Sequence, residues 1–235
     1  LAGIFCYSGG QAPFVNAVIK TGQYMASETS EQGKNKGSFS RGSDKPAPHN
    51  VIVNVSLLQS QHADLAAPQP MLPMVAFDPE SETYAAPSTN GGEETLGMKI
   101  TYPSAVSEWK ISDSGLWVRY QDGKKHIDKA SGEQIRATNV VVLKTKIDSS
   151  FIDGKYGVIP RTVMIDSGMA WIFHNGKRIK GTWSKASQSA PIQLFDEAGA
   201  PIYLAAGNTW IELMTTSAKI EIKSPEVSPS PSPSN

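Results

Sequence analysis

The sequence predicts an α+β protein in which a partial α/β domain precedes a β-rich, mainly antiparallel domain. A strand–turn–helix pattern opens the chain, and a long segment rich in Pro, Ser, Glu and Gly follows it. Short strand-like runs separated by turn signals then fill residues 98–213. We assign residues 1–96 to the remainder of the α/β domain with a long connecting loop, 97–217 to the β-rich domain, and 218–235 to a disordered Ser/Pro tail.

Composition bounds the classes of protein to which this chain can belong. With 235 residues, 39% of them hydrophobic, it can bury a core in one large or two small domains. Because 22 basic residues balance 22 acidic ones, no general field attracts nucleic acid, and we expect no nucleic-acid partner. No apolar run approaches the roughly 20 residues of a membrane span. Cys6 is the single cysteine, which excludes an intramolecular disulfide and a multi-cysteine metal cage.

The start of the chain is not a lipoprotein signal. Such a signal has small residues directly before its cysteine, whereas Ile4 and Phe5 precede Cys6 here. The chain begins inside a strand-like run without an initiating methionine, so we expect a truncated or processed chain.

Residues 3–22 read as strand, tight turn and helix. An apolar run over 3–7 leads into Ser8-Gly-Gly, and Pro13 then opens a helical pattern with one apolar face. A glycine turn before a helix can bind an anion. A nucleophile elbow would need glycine two residues before Ser8, where Cys6 stands, so a structural turn is the favoured interpretation.

Arg41, His49 and Asn50 are the most chemically suggestive group of the first half. They flank the end of a polar, glycine-rich loop and the strand-like residues 51–55, and Pro48 restricts the approach to His49. A histidine there can titrate near neutrality or donate to a ligand. In the alternative interpretation, His49 and Asn50 satisfy backbone groups of the loop.

A short helix and a long connection follow. Ser56 can cap a helix that runs to Asp64 and carries His62 on its surface. Residues 66–97 are too long for an ordinary connection inside a compact unit, so we interpret them as an interdomain or lid-like segment.

The β-rich block supplies the clearest predictions. Asp122-Gly123 and Asn175-Gly176 are hairpin turn signals. Residues 139–143 are continuously apolar apart from Asn139, as expected for a strand covered on both faces. The further strand candidates are residues 98–102, 107–111, 116–120, 169–174, 179–183, 192–195, 202–204 and 209–213. All five tryptophans lie in or beside these strands, either as core residues or as an exposed row that stacks on sugars.

A second candidate group is Arg119, His126 and Asp128. Strand alternation places Trp117 and Arg119 on one face, where a covered arginine needs a partner. The nearest acidic candidates are Asp128 and Glu133. The group forms either a polar pocket or a buried ion pair that fixes the sheet, and the ion pair is favoured. No metal-ligand spacing connects the four histidines, so we predict neither a metal nor another cofactor.

Several stretches together resemble the YerB-like lipoprotein family of bacteria, whose domains have no known function. The stretches that carry the resemblance are residues 7–10, 41, 47–50, 117–119, 126–128, 137–141, 166–168, 181–185 and 207–213. The resemblance implies an extracytoplasmic, lipid-anchored or secreted protein with two domains, the second rich in β-structure. It also implies that the start of the N-terminal domain, with its signal and anchoring cysteine, is missing here. The family's Arg, His and Asn pattern falls on Arg41, His49 and Asn50, and its Arg and Asp pattern on Arg119 and Asp128.

Two functional hypotheses follow. The first is a non-catalytic envelope module that binds a cell-wall polymer or an envelope protein, in keeping with the resemblance, the balanced charge and the tryptophan-rich strands. The alternative is an enzyme acting on an envelope substrate, with His49 as general acid or base and Arg41 or Arg119 holding an anionic group. No nucleophile is paired with a base in the sequence.

Overall fold

The structure, a computed structural model, describes residues 4–21, 24–27, 36–63, 65, 77–78, 83–84 and 86–226. The chain divides into two compact units, Leu1–Gln69 and Pro70–Asn235. The boundary predicted after residue 96 therefore falls inside the second unit.

The first unit pairs two strands in parallel through a helix. Its elements are β1 (Ile4–Tyr7), α1 (Ala12–Ile19), β2 (Tyr24–Ser27), β3 (Phe39–Arg41), β4 (Val51–Val53) and α2 (Val55–Gln61). β1 and β2 are parallel, and α1 lies in the connection between them. Pro13 lies in the first turn of α1, as predicted, where its missing N–H leaves no hydrogen bond unmade. β3 and β4 form an antiparallel pair.

Two predictions around α2 were wrong. The helix cap is Asn54, whose side chain accepts the Leu57 amide at 2.9 Å, rather than Ser56. His62 is only 5% exposed instead of lying on the surface, and it lies just beyond the helix, which ends at Gln61. The predicted helix end at Asp64 lies outside the described residues.

The second unit consists chiefly of strands. Its elements in chain order are β5 (Phe77–Asp78), β6 (Thr83–Tyr84), a 3₁₀ helix (Ser88–Gly91), β7 (Glu93–Glu94), β8 (Gly97–Thr101), β9 (Val106–Ile111), β10 (Trp117–Gln121), β11 (Lys124–Lys125), β12 (Arg136–Ala137), β13 (Asn139–Thr145), β14 (Ile147–Asp148), β15 (Ile152–Asp153), β16 (Gly157–Val158), β17 (Arg161–Thr162), β18 (Ser167–His174), β19 (Lys177–Ser184), β20 (Gln193–Asp196), β21 (Thr209–Thr215) and β22 (Lys219–Lys223). The prediction of a β-rich, mainly antiparallel region is confirmed.

These strands form two main sheets. The first sheet has the order β11-β10-β9-β8-β22, with β12 beside β10. The second has the order β20-β19-β18-β13-β21, with β7 beside β19. Within them only β13 and β21 run parallel, as far as the described strands show. The short pairs β5–β6, β14–β17 and β15–β16 stand outside both sheets.

Both predicted hairpin turns are present. Asp122 and Gly123 have φ values of 50° and 77°, and Asn175 and Gly176 have 45° and 71°. Two successive residues with positive φ match the twist of the flanking strands, which explains the Asp-Gly and Asn-Gly sequences. The second turn sets the register of β18 against β19, in which His174 faces Lys177.

The main core lies between the two sheets, because its members come from the inner faces of both. They are Met98, Ile100, Trp109, Trp117, Ala137, Val140, Val142, Trp171, Phe173, Met214 and Ala218. A second cluster covers the outer face of the second sheet and consists of Val141, Leu143, Ala170, Ile172, Trp183, Ile192, Leu194, Ile202 and Leu204. β13 contributes alternate residues to each cluster, which confirms that it is covered on both faces.

The tryptophans are core residues. Trp109, Trp117 and Trp183 are at most 1% exposed, Trp171 is 7% exposed, and Trp210 is half-buried. An exposed tryptophan row for stacking on sugars is therefore absent from the described strands.

The predicted tail begins too early. β22 pairs with β8 in the register Ile220↔Ile100 and Ile222↔Met98, and both isoleucines pack on the main core. The Lys-Ile-Glu-Ile-Lys alternation of this strand has the period of two that is typical of a strand, although the Ser/Pro repeats follow it closely. Residues 227–235 lie outside the described residues.

Candidate functional site

A buried carboxylate lies between the two sheets. Alternation along β21 directs Trp210, Glu212 and Met214 to the inner face, so that Glu212 is only 6% exposed. A buried carboxylate is costly unless it is paired and hydrogen-bonded.

Four side chains donate hydrogen bonds to Glu212. Its Oε1 accepts from Ser107 Oγ at 2.7 Å, from Trp109 Nε1 at 3.0 Å and from Trp210 Nε1 at 3.1 Å. Its Oε2 accepts from Tyr102 Oη at 2.9 Å. Burial, followed by the charge of Glu212 and this hydrogen bond, raises the pKa of the Tyr102 phenol well above its usual value.

Arg119 supplies the opposite charge. Its Nε lies 3.6 Å from Glu212 Oε1, and both side chains are less than a tenth exposed. The guanidinium stacks 4.8 Å from the ring centroid of Trp210, and one terminal nitrogen donates to Gln121 Oε1 at 2.8 Å. The other terminal nitrogen hydrogen-bonds His126 Nδ1, which must accept because a guanidinium only donates.

The structure brings Arg119 and His126 together and leaves Asp128 apart from them. Asp128 is exposed and accepts hydrogen bonds from its own turn, from the Ser131 hydroxyl and from the amides of Ser131 and Ala130. These hydrogen bonds, the Ser131 hydroxyl first, lower the pKa of the Asp128 carboxyl. Glu133 pairs instead with Arg136.

The predicted acidic partner of Arg119 was therefore wrong. Arg119 points between the sheets, whereas Asp128 and Glu133 lie in an exposed turn, so Glu212 from a distant strand takes the role. A sequence signal for Glu212 existed, since it is an acidic residue two positions from Trp210 on the inner face of a predicted strand. Arg119 does take part in a buried ion pair, but its partner is Glu212 and not a member of the predicted group of Arg119, His126 and Asp128.

In the first unit, Arg41 and Asn50 lie side by side at the β3–β4 pair. The Arg41 guanidinium donates to Asn50 Oδ1 at 2.7 Å, and the Asn50 amide donates to the Gly42 carbonyl at 2.9 Å. His49 is exposed next to them, with its backbone amide bonded to the Pro46 carbonyl. Asn50 thus satisfies loop backbone, as one interpretation expected, and also orients Arg41.

The second unit carries an open cavity of about 440 Å³ at the outer edge of the second sheet. Its charged lining residues are Glu93, Arg178, Lys180, Asp196 and Glu197. Arg178 pairs with Glu93, and Lys180 Nζ lies 3.0 Å from Glu197 Oε1. None of these residues was a candidate from the sequence, which predicts strands at β19 and β20 but not the two-residue strand β7 beside them.

Metal and membrane features can be stated for the described residues. Within them, no group of three or more His, Cys, Asp or Glu side chains is placed to hold a metal ion. None of the helices in those same ranges is long and apolar enough to cross a lipid bilayer.

Comparisons with known proteins agree with the resemblance found in the sequence. Residues 98–211 match the family model described as the C-terminal domain of a protein of unknown function, DUF3048. The structure is similar to that of the YerB protein from Bacillus subtilis, with a TM-score of 0.70 and 15% sequence identity, over 93% of this chain and 70% of that chain. The resemblance to the YerB-like family is thus confirmed, and at this identity the structural likeness concerns the fold. No curated protein sequence matches the chain.

Proposed function

We propose that this protein is a non-catalytic module of the bacterial cell envelope, located outside the cytoplasm, that binds a cell-wall polymer. The observation that carries the proposal is the cavity of about 440 Å³, a size typical of ligand sites. Oppositely charged side chains line it from the strands β7, β19 and β20 and from the turn after β20. The YerB-like resemblance supports the extracytoplasmic location.

The interior cluster supports a non-catalytic role. A general acid or base must reach a substrate proton, and a nucleophile must be free to attack. Both carboxylate oxygens of Glu212 already accept hydrogen bonds, and the Arg119 guanidinium is held by Gln121, His126 and the Trp210 ring. The cluster stabilises the sandwich in this proposal and leaves binding to the surface.

The test is co-sedimentation of the folded protein with purified bacterial cell walls. We expect the walls to retain the protein and soluble wall fragments to compete for that binding. Soluble polyglutamate should not compete, because the lining charges nearly balance. Absence of retention would overturn the proposal. In that case an envelope protein is the partner to seek next.

One specific observation favours an alternative, an enzyme acting on an envelope substrate. Arg41 is oriented by Asn50 at 2.7 Å, and the exposed His49 adjoins them, so an anion held by Arg41 would lie near an acid or base. The measurement is release of soluble products from labelled cell walls by the protein and by His49→Ala. Loss of release in the variant supports the enzyme, and equal release by both removes His49 from any such role.

A further inference from the structure

On one side of β19, the pairing with neighbouring strands is interrupted in the middle. β20 pairs with β19 from Ser184 to Gly181, and β7 pairs with Arg178 and Lys177. Ile179 and Lys180 therefore have no strand opposite them on this side among the described residues. The cavity described above lies at this gap.

Two hydrogen bonds on the far side of β20 establish which of its backbone groups face β19. The Asp196 amide donates to the Ala200 carbonyl at 2.9 Å, and the Ile202 amide donates to the Leu194 carbonyl at 2.9 Å. In a sheet, the backbone groups of alternate residues point to opposite sides of the strand. The backbone N–H and C=O groups of Asp196 and Leu194 therefore point away from β19. Those of Phe195, which lies between them, point toward β19.

The same alternation directs the backbone of Lys180 into the gap. Phe195 lies opposite Thr182, so the N–H and C=O of Thr182 face β20. Two residues earlier along β19, Lys180 presents its N–H and C=O to the same edge, where the neighbouring strand is missing. An unpaired donor and acceptor on a strand edge can pair with an added extended chain.

The side chains around the gap add two opposite charges that a ligand can reach. Lys180 is 45% exposed and its partner Glu197 is 70% exposed. An ion pair so open to water contributes little to stability, so a ligand can replace it at low cost. Pro201 and Ala198 complete one wall, and no aromatic side chain is among the described lining residues. A site for sugar rings would favour such an aromatic surface.

We propose that this cavity binds a short extended peptide with free amino and carboxyl groups. The peptide pairs its backbone with the N–H and C=O of Lys180, places a carboxylate against the Lys180 ammonium, and places an ammonium against Glu197. The inference rests on the proposed function and deepens it, because it assigns recognition to the peptide part of a wall polymer rather than to its sugar strands.

The first experiment maps binding of the tetrapeptide Ala-Glu-Lys-Ala to the full chain by amide chemical shifts. Dose-dependent shifts at residues 178–181 and at Gly92 are expected, and shifts confined to other regions would overturn the inference. Ala198→Trp fills one wall of the cavity and should weaken binding on the order of tenfold or more. Ala186→Trp places the same side chain at an exposed position outside the cavity lining and should leave affinity unchanged.

A second experiment uses the unmodified protein, so its result does not depend on the variant folding. Methylating the backbone nitrogens of the tetrapeptide removes its donors but keeps its charges, and binding should fall by about tenfold or more. Equal affinity for the methylated peptide would contradict backbone pairing. If the protein sediments with walls but binds a chitin tetrasaccharide and not the tetrapeptide, the wall-binding function survives and this inference fails.

Discussion

The second unit uses opposite charges in two places, and the two places behave differently. Between the sheets, Arg119 and Glu212 are each less than a tenth exposed in their side chains, and aromatic and hydroxyl donors surround the carboxylate. At the edge of the second sheet, the side chains of Lys180 and Glu197 are 45% and 70% exposed and have the cavity beside them.

The difference shows how burial assigns a role to a charged group. Inside, losing either charge leaves the other without water or a partner, so the pair is fixed by the fold. At the edge, water can replace either partner, so the charges remain available to a ligand. A cluster that contains His, Arg and Glu can therefore be structural, whereas ligand binding is proposed at the exposed pair of Lys180 and Glu197.

Removing the interior carboxylate should have the largest effect. Glu212→Ala leaves Arg119 as an unpaired buried charge and removes the acceptor of four donors, so we expect the free energy of unfolding to fall by about 3–5 kcal/mol. All five tryptophans lie between residues 109 and 210, so tryptophan fluorescence during urea unfolding reports on the second unit. Glu221→Ala, at an exposed position of β22, is the matched control. A loss no greater than that of the control would contradict a structural role for Glu212.

A double-mutant cycle should separate the ion pair from the hydrogen bonds around it. Glu212→Gln keeps an acceptor oxygen, and Arg119→Met removes the charge with a similar side-chain shape. We expect the double variant to be more stable than the sum of the single losses by about 0.5–3 kcal/mol, because neither charge is then left alone. The exposed pair Arg136 and Glu133 provides the comparison cycle, in which coupling should not exceed about 1 kcal/mol. Equal coupling in the two cycles would show that burial does not distinguish them.

Local patterns made most of the second unit predictable from sequence. Asn-Gly and Asp-Gly between strands are typical of tight hairpin turns. The run of apolar residues in β13 is typical of a strand that is buried on both faces. The placement of Trp117 and Arg119 on the same face of a strand followed from the period of two. The finer prediction that residues 1–96 are the remainder of an α/β domain stays a prediction, as do the functional roles of Arg41, His49, Asn50, Arg119, His126 and Asp128.

Such local patterns do not predict which strands pair when they are distant in the sequence. Glu212 is separated from Arg119 by most of the β-rich region, and only the parallel pairing of β13 with β21 places it opposite β9 and β10. The cavity likewise depends on β7, a two-residue strand that local periodicity cannot identify. Both sites arise where strands distant in sequence meet, which a single sequence does not specify.

Alkaline pH should act on the interior cluster through Tyr102. Its pKa is raised in the folded protein, by burial first and then by Glu212, so the folded chain keeps a proton that the unfolded chain releases. The resulting stability is complete below the unfolded value of about 10 and is lost as pH rises beyond it. Unfolding followed by circular dichroism between about pH 9 and pH 11 should therefore show a shallower decline in Tyr102→Phe than in the parent. Tyr156→Phe, at an exposed position, should decline like the parent, and a parent-like decline in Tyr102→Phe would rule out this linkage.

The smallest effect on stability should come from the cavity charges, because an exposed ion pair contributes little to the free energy of unfolding. Lys180→Ala breaks an ion pair whose members are 45% and 70% exposed, so its free energy of unfolding should stay within about 0.5 kcal/mol of the parent. The same urea titration used for Glu212→Ala measures it, and Lys99→Ala on β8 is a control at an exposed lysine of the other sheet. A loss of several kcal/mol in Lys180→Ala alone would show that the edge pair holds the sheet together. Both ion pairs would then be structural, and a ligand could not replace the pair of Lys180 and Glu197 at low cost.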